Sequence, residues 1–291
     1  MSETSPQQGP RLAYAGEPGS FAEDAARAYL PDCRPVAVPS FDDVCSTVSR
    51  GSADGGVVPI ENVAQGTVRE VYDLLLEHPL KIVGEVEVPV VLCLAALPGQ
   101  SLDDIERVYS HVQALAQAEP FLRSRPWQLL ASTTTAGAGA DIARRGERGA
   151  AAVLSPRAAG LHGLAVLAEA IQSDANNRTR FLVLAASSAD PDWLPPAVPG
   201  ARVRTTLAFG VANEPGSLLR VLNHFAAHDI NLSKLESRPS RQRDWEYVFW
   251  VDLDADLCGG GADALEELRA VTASLRVLGC YPLRDPSPPA R

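Results

Sequence analysis

The chain has 291 residues, 46% hydrophobic and 21% charged, with a net charge of −10. That length suits two domains with sizeable cores, and the composition is that of an ordinary globular protein. An acidic chain with no basic stripe argues against a nucleic-acid partner, and no apolar run is long enough to span a membrane. Residues 1–10 are polar and hold no apolar leader core, so the expected location is the cytoplasm. The five cysteines, Cys33, Cys45, Cys93, Cys258 and Cys280, are irregularly spaced with no C-x-x-C pair. They read as buried small apolar residues, with neither a disulfide framework nor a zinc site. The five histidines show no metal-ligand spacing, and neither a metal nor a cofactor is predicted.

In chain order, residues 1–10 and 285–291 read as tails. Leu12 to Ala15 is a strand followed by Gly16-Glu17-Pro18-Gly19 and a helix from Ser20, where Ser20 and Glu23 form a capping-box pair. Gly56 to Ile60 is a strand, then come a loop over 61–66 and a helix through Leu76. Val108-Tyr109 enters Ser110-His111-Val112-Gln113 and a helix to about Leu122, and Gln128 to Ala131 enters a threonine-rich loop and a helix to about Arg145. Ala151 to Val153 precedes a helix expected over 156–171. This alternation predicts an α/β domain with a largely parallel sheet, whose ligands bind beyond the carboxyl ends of the strands. Asn177-Arg178-Thr179-Arg180-Phe181 then stands at a predicted helix-to-strand junction. So much polarity beside a core costs free energy unless the groups are bonded or face an anion.

Four prolines and a glycine in residues 190–200 form a stiff linker. Beyond it, Thr205 to Val211 is a strand, and Glu214-Pro215-Gly216-Ser217 turns into a helix carrying Leu218, Leu219, Leu222 and Phe225. Residues 230–237 and 247–253 are strands around a polar hairpin at 238–244. Gly259-Gly260-Gly261 breaks into a helix with Leu265, Leu268, Val271 and Leu275, and residues 277–281 close as a strand. The order βαββαβ is that of a ferredoxin-like unit.

The strand-end loops of the first domain are rich in neutral hydrogen-bonding residues: Ser20, Asn62, Gln65, Thr67, Ser110, Gln113, Thr134, Thr135, Asn177 and Thr179. Most stand at predicted helix N-termini, where free N–H groups and the helix dipole favour an anion without a cationic side chain. No G-x-S-x-G, P-loop or dinucleotide fingerprint follows a strand. His111 is the one histidine in a candidate site loop, and its residue type suits a structural hydrogen bond as well as catalysis.

Tyr14-Ala15-Gly16-Glu17-Pro18-Gly19-Ser20-Phe21, Pro59-Ile60-Glu61-Asn62, Ser110-His111-Val112-Gln113-Ala114-Leu115-Ala116-Gln117, Thr134-Thr135-Ala136-Gly137-Ala138 and Asn177-x-Thr179-Arg180-Phe181 follow one another as in prephenate dehydratases. The second domain resembles their ACT domain, with Glu214-Pro215-Gly216-Ser217-Leu218 at the Gly-Ala-Leu segment and Glu236-Ser237-Arg238-Pro239 as the Glu-Ser-Arg-Pro signature. The resemblance covers residues 10–285. It implies a two-lobed, periplasmic-binding-protein-like catalytic domain over 10–188, crossed by the chain near residues 90 and 175. A linker over 189–203 and a ferredoxin-like ACT domain over 204–285 follow. The implied reaction turns prephenate into phenylpyruvate with loss of water and carbon dioxide.

By the same resemblance, Thr179 donates to the leaving hydroxyl, and Asn62, Ser110, Gln113, Thr134, Thr135, Asn177, Arg180 and Phe181 surround the substrate. L-Phenylalanine is the implied effector at Asn213, Glu214, Pro215, Gly216, Ser217, Leu218, Glu236, Ser237, Arg238 and Pro239, in a homodimer or homotetramer. Val63, Val112, Ala22 and Ala118 depart from the family motifs. The competing readings are an arogenate dehydratase, a non-aromatising prephenate decarboxylase and a non-catalytic amino-acid sensor.

Overall fold

A computed structural model describes residues 9–196, 198, 200–239 and 247–284. It divides into two compact units, one of Met1–His78 with Val86–Leu182 and the other of Pro79–Glu85 with Val183–Arg291. The first unit opens with β1 (Arg11–Ala15), α1 (Phe21–Tyr29), β2 (Arg34–Val38), α2 (Phe41–Ser49), β3 (Gly55–Asn62), β4 (Gly66–Thr67), α3 (Arg69–Glu77) and β5 (Leu80–Pro89), whose residues up to Glu85 belong to the second unit. A second lobe follows, with β6 (Cys93–Ala96), β7 (Arg107–Ser110), α4 (Val112–Gln117), α5 (Glu119–Leu122), β8 (Gln128–Ala131), α6 (Thr135–Arg145), β9 (Ala150–Leu154), α7 (Pro156–Leu161) and β10 (Ala165–Ala168). The chain then returns to the first lobe in β11 (Arg178–Ala186).

The first sheet has the order β2-β1-β3-β11-β5, with β4 paired to the end of β3. β1 lies parallel to both β2 and β3, and its Leu12, Ala13 and Tyr14 are buried. Ser20 and Ser40 cap α1 and α2, each side chain accepting from the N–H three residues on. α2 sits directly on β3 at Gly56, where an added Cβ would come within 2.7 Å of Val44 and 2.8 Å of Val48. The second sheet has the order β10-β6-β9-β7-β8 and is covered on both faces by apolar clusters. β9 is buried throughout its Ala-rich length, which lets α6 and α4 approach the sheet closely.

Several expectations are corrected here. The helix expected over 156–171 is only the short α7, because Gly163, at φ +65°, turns the chain into the edge strand β10. The Asn177 run therefore follows a loop rather than a long helix, and its last four residues begin β11. The second sheet is mixed, since β6 pairs antiparallel with both β9 and β10. The helix predicted up to Leu122 breaks at Ala118 into α4 and α5, with Pro120 fitting the first turn of the latter. Pro10 is not tail, as its carbonyl accepts from the Arg34 N–H.

The second unit is built from β12 (Val203–Gly210), α8 (Ser217–Ala227), β13 (Leu232–Pro239), β14 (Tyr247–Leu253), α9 (Ala262–Val271) and β15 (Ser274–Pro282). The sheet is antiparallel with the order β13-β14-β12-β15, and both helices pack on its apolar face around Phe209, Val221, Phe225 and Leu268. Leu275 belongs to β15 rather than to the preceding helix. Gly279 leaves room for the backbone of Ile82 in β5, which a Cβ would strike. Most of the predicted hairpin (240–244), both tails at 1–8 and 285–291, and linker residues 197 and 199 lie outside the described residues.

The cysteines also differ from expectation. Cys258, in the loop after β14, and Cys280, in β15, form a disulfide with a Cα–Cα distance of 6.1 Å. Their spacing carries no signal because the sheet, not the sequence, brings them together. Cys33, Cys45 and Cys93 are free and buried, and burial pushes the Cys45 thiol up to about 12 and that of Cys93 up to about 11.

Candidate active site

A cavity of about 500 Å³ opens in the first unit where its two lobes and the strand β11 meet. That is an ordinary size for a small-molecule cleft. The first lobe contributes Phe21, Phe41, Asn62, Gln65 and Thr67, the second contributes His111, Gln113, Gln117 and Thr135, and β11 contributes Thr179 and Phe181. No Asp, Glu, Lys or Arg lines it among the described residues. The polar groups are neutral, and α6 begins at the wall with Thr135, its N-terminal dipole directed at the cavity.

At the centre, the orientation of one amide is fixed by its neighbours. Asn62 Oδ1 accepts from the backbone N–H of Ala64 and of Gln65, both at 3.0 Å. Its Nδ2 must therefore face the other way, where it donates to Thr179 Oγ1 at 2.9 Å and to the Arg178 carbonyl at 3.2 Å. Oγ1 accepts from Asn62, so that bond leaves the Thr179 hydroxyl proton unused, and Thr179 lines the cavity. Thr179 is buried, with 9% exposure, so that donor is largely shielded from competing water. That hydroxyl lies in a lining with no Asp, Glu, Lys or Arg among the described residues.

His111 caps α4 by accepting at Nδ1 from the Gln113 N–H at 3.3 Å, so in its neutral form Nε2 carries the proton. Gln65 and Thr67, which the sequence places among the strand-end hydrogen-bonding residues, and His111, in a candidate site loop, line the cavity together with Gln117, to which the sequence assigned no role. Gln117 was legible, since it stands one helical turn beyond Gln113.

Not every predicted residue faces the cleft. Ser110 is fully buried and donates to the Val153 carbonyl at 2.6 Å. Thr134 caps α6, and its hydroxyl lies 3.5 Å from Glu17 Oε1. Asn177 is buried behind the wall, its carbonyl accepting from the Val90 N–H. Arg180 lies 3.9 Å from Glu61 and is not among the residues that line the cavity. The substituted positions Val63 and Val112 are exposed, and the Val63 N–H still donates to the Arg178 carbonyl.

One cluster of charged groups lies where α1 meets α7. Arg157 donates to Glu23 at 2.7 Å and to Asp24 at 2.6 Å, while Ser155 donates to the Gly19 carbonyl. Burial alone would raise the Glu23 carboxyl, but bonds from Arg157, the Gly19 N–H and Arg27 hold it below its ordinary value. Asp24 has fewer donors, and burial leaves its carboxyl raised. The Tyr14 phenol, buried beside Glu23, is pushed up to about 12.

Residues 12–189 match the family model for prephenate dehydratase, and 205–257 match that for the ACT domain. The chain belongs to the prephenate dehydratase family. Family members are decarboxylating dehydratases, a class of lyase. The chain is 40% identical over 285 residues to arogenate dehydratase/prephenate dehydratase 2 of Arabidopsis thaliana, covering 94% of this chain and 73% of that one. Among solved structures, prephenate dehydratase of Arthrobacter aurescens in complex with L-Phe is 30% identical at a TM-score of 0.82, covering 96% of this chain and 93% of that one. The quorum-quenching acylase GqqA is also 30% identical, at a TM-score of 0.84, covering 94% of this chain and 98% of that one. The lobes are thus the periplasmic-binding-protein-like lobes of a prephenate dehydratase, and the second unit is its ferredoxin-like ACT domain. No helix among the described residues is long and apolar enough to cross a membrane.

The ACT domain of this prephenate dehydratase family member has a cavity of its own, of about 170 Å³. Asn213, Glu214, Ser217 and Leu218 line it with Tyr247 and Phe249, and Gly216 at φ +83° makes the turn into α8. Pro215 and Gly216 shape that loop without facing the cavity. Glu236, Ser237, Arg238 and Pro239 lie on the edge strand β13, where Ser237 and Pro239 pair with Phe249 and Tyr247 of the lining.

Proposed function

We propose that this protein converts prephenate to phenylpyruvate in phenylalanine biosynthesis. Thr179 gives its hydroxyl hydrogen bond to the departing ring hydroxyl. The bond to the ring carboxylate breaks, carbon dioxide leaves, and the electron pair enters the ring as the carbon–oxygen bond opens. The hydroxide released takes a proton from solvent and departs as water. Aromatisation drives the step, so positioning and one aimed donor suffice and no cofactor is required. The observation that carries this reading is the Asn62–Thr179 hydrogen bond, which leaves the Thr179 proton for the cavity. Gln113 and Thr135, with Gln65, Thr67, His111 and Gln117, hold the dicarboxylate through neutral donors, Asn62 orients Thr179, and Phe181 packs on the ring. Ser110, Thr134, Asn177 and Arg180 support the walls.

The domain bounds we assign are 10–188 for catalysis, 189–203 for the linker and 204–285 for the ACT domain. L-Phenylalanine is the proposed effector at residues 213–218 and 236–239, and β13 as an edge strand suits pairing of ACT domains in a homodimer or homotetramer. The proposed compartment is the cytoplasm, since a dicarboxylate does not cross a membrane unaided. The test follows phenylpyruvate from prephenate, and phenylalanine from arogenate, with and without L-phenylalanine. Prephenate turnover that responds to L-phenylalanine is expected. Turnover of arogenate alone would move the substrate assignment, and turnover of neither would overturn the reading.

A further inference from the structure

On the ACT domain, away from both cavities, three ligand-type side chains converge. His224 and His228 stand four residues apart on one side of α8 and its C-terminal end, and Glu267 reaches across from α9. The two rings are neighbours, with centroids 4.4 Å apart. The tautomer of each is set by a backbone carbonyl, which can only accept. His224 Nε2 donates to the Ala264 carbonyl at 2.8 Å, and His228 Nδ1 donates to the His224 carbonyl at 3.0 Å. In the neutral rings the lone pairs are therefore on His224 Nδ1 and His228 Nε2. Those two atoms lie 3.9 and 3.3 Å from the same Glu267 oxygen.

With both rings neutral, three acceptors meet with no donor among them, an arrangement that a cation in their midst satisfies. We infer that this cluster binds a divalent transition-metal ion of the zinc class. Two imidazoles and a carboxylate are a borderline-soft donor set that suits Zn²⁺ over Mg²⁺ or Ca²⁺. A ligating histidine whose other N–H is held by a carbonyl is the usual support for such a site. The three ligand atoms lie within 4.8 Å of one another. Ligands at about 2.1 Å from a zinc ion stand about 3.4 Å apart in a tetrahedron, so the cluster has to tighten on binding. The side chains of Glu267, 62% exposed, and His228, 31% exposed, are free to move, while His224 at 9% is the fixed point. Water completes the coordination. The ion ties the end of α8 to α9, and α8 is the helix whose first residues, Ser217 and Leu218, line the ACT cavity.

The test is titration of the full chain with ZnCl₂ at pH 7.5 in competition with a chromophoric chelator. Alongside the wild type run His228→Gln and the double variant His224→Gln/His228→Gln, each checked for an unchanged melting curve in EDTA. One Zn²⁺ per chain is expected, weakened at least tenfold in His228→Gln and lost from this site in the double variant, with prephenate turnover unchanged. Should the wild type bind Zn²⁺ no more tightly than the double variant, the site is a histidine–carboxylate ion pair and the inference is overturned. Should the single variant fail to fold, Glu267→Gln decides by the same comparison.

Discussion

The catalytic cleft and the ACT domain treat charge in opposite ways. The cleft is walled by neutral donors around Asn62 and Thr179, with no ionised side chain in its described lining. The second unit is held by charges instead. Arg204 pairs with Glu85 at 2.7 Å and with Asp254 at 3.4 Å, Tyr281 donates to Glu85, and Thr206 donates to Asp252. Even the small ACT cavity includes Glu214. A buried charge needs a partner, and partners lock a structure. A cleft that takes in and releases a doubly charged substrate works better with dipoles that remain satisfied when empty. A regulatory domain that must keep its shape works better with closed ion pairs.

Replacing Thr179 by Ala should have the largest effect, a fall in kcat of about 10²–10⁴ with an unchanged melting curve, because the one aimed donor is gone. Steady-state phenylpyruvate formation measures it. Reduction of the Cys258–Cys280 disulfide should instead act on the ACT domain alone. Its 22-residue separation corresponds to roughly 3 kcal/mol of stability by loop entropy. Calorimetry with and without dithiothreitol should show a lower transition for that unit while turnover without effector stays the same. A fall in basal turnover would break the separation between the two regions.

Asn62→Asp sharpens the comparison by placing a charge in the neutral cleft. The carboxylate still accepts from Ala64 and Gln65, but it now draws the Thr179 proton back toward itself. The expected cost is about 10- to 100-fold in kcat with a smaller change in KM. Arg157→Gln should have the smallest effect, about 1 kcal/mol, because that arginine is 37% exposed and solvent screens it. Glu23 has a folded-state pKa below its ordinary value of 4.5, so its contribution is full above pH 4.5 and is lost as pH falls. In the variant that loss should come at higher pH, seen by circular dichroism as an acid-unfolding midpoint above that of the wild type.

Local signals were legible in the sequence and distant ones were not. The cap at Ser20 and the βαββαβ order of the second unit follow from short-range patterns, whereas Thr134, read as a substrate contact, caps α6. The short α7 was missed because the apolar run after Pro156 suits a helix until Gly163 turns it. Motifs named Asn62 and Thr179 separately, but their bond spans 117 positions, and only the fold shows that one aims the other. Ser110 carried the right motif yet spends its hydroxyl on Val153. No ligand spacing was legible among the histidines, and the i, i+4 pair His224 and His228 was passed over because nothing local pointed to Glu267 on the next helix.

The central claim is that Asn62 acts on catalysis by directing the Thr179 hydroxyl. A double-mutant cycle of Asn62→Asp and Thr179→Ala, read as kcat for phenylpyruvate formation, tests it most directly. If Asn62 works through Thr179, the double variant should be no slower than Thr179→Ala alone. Losses that multiply across the two positions would contradict the account.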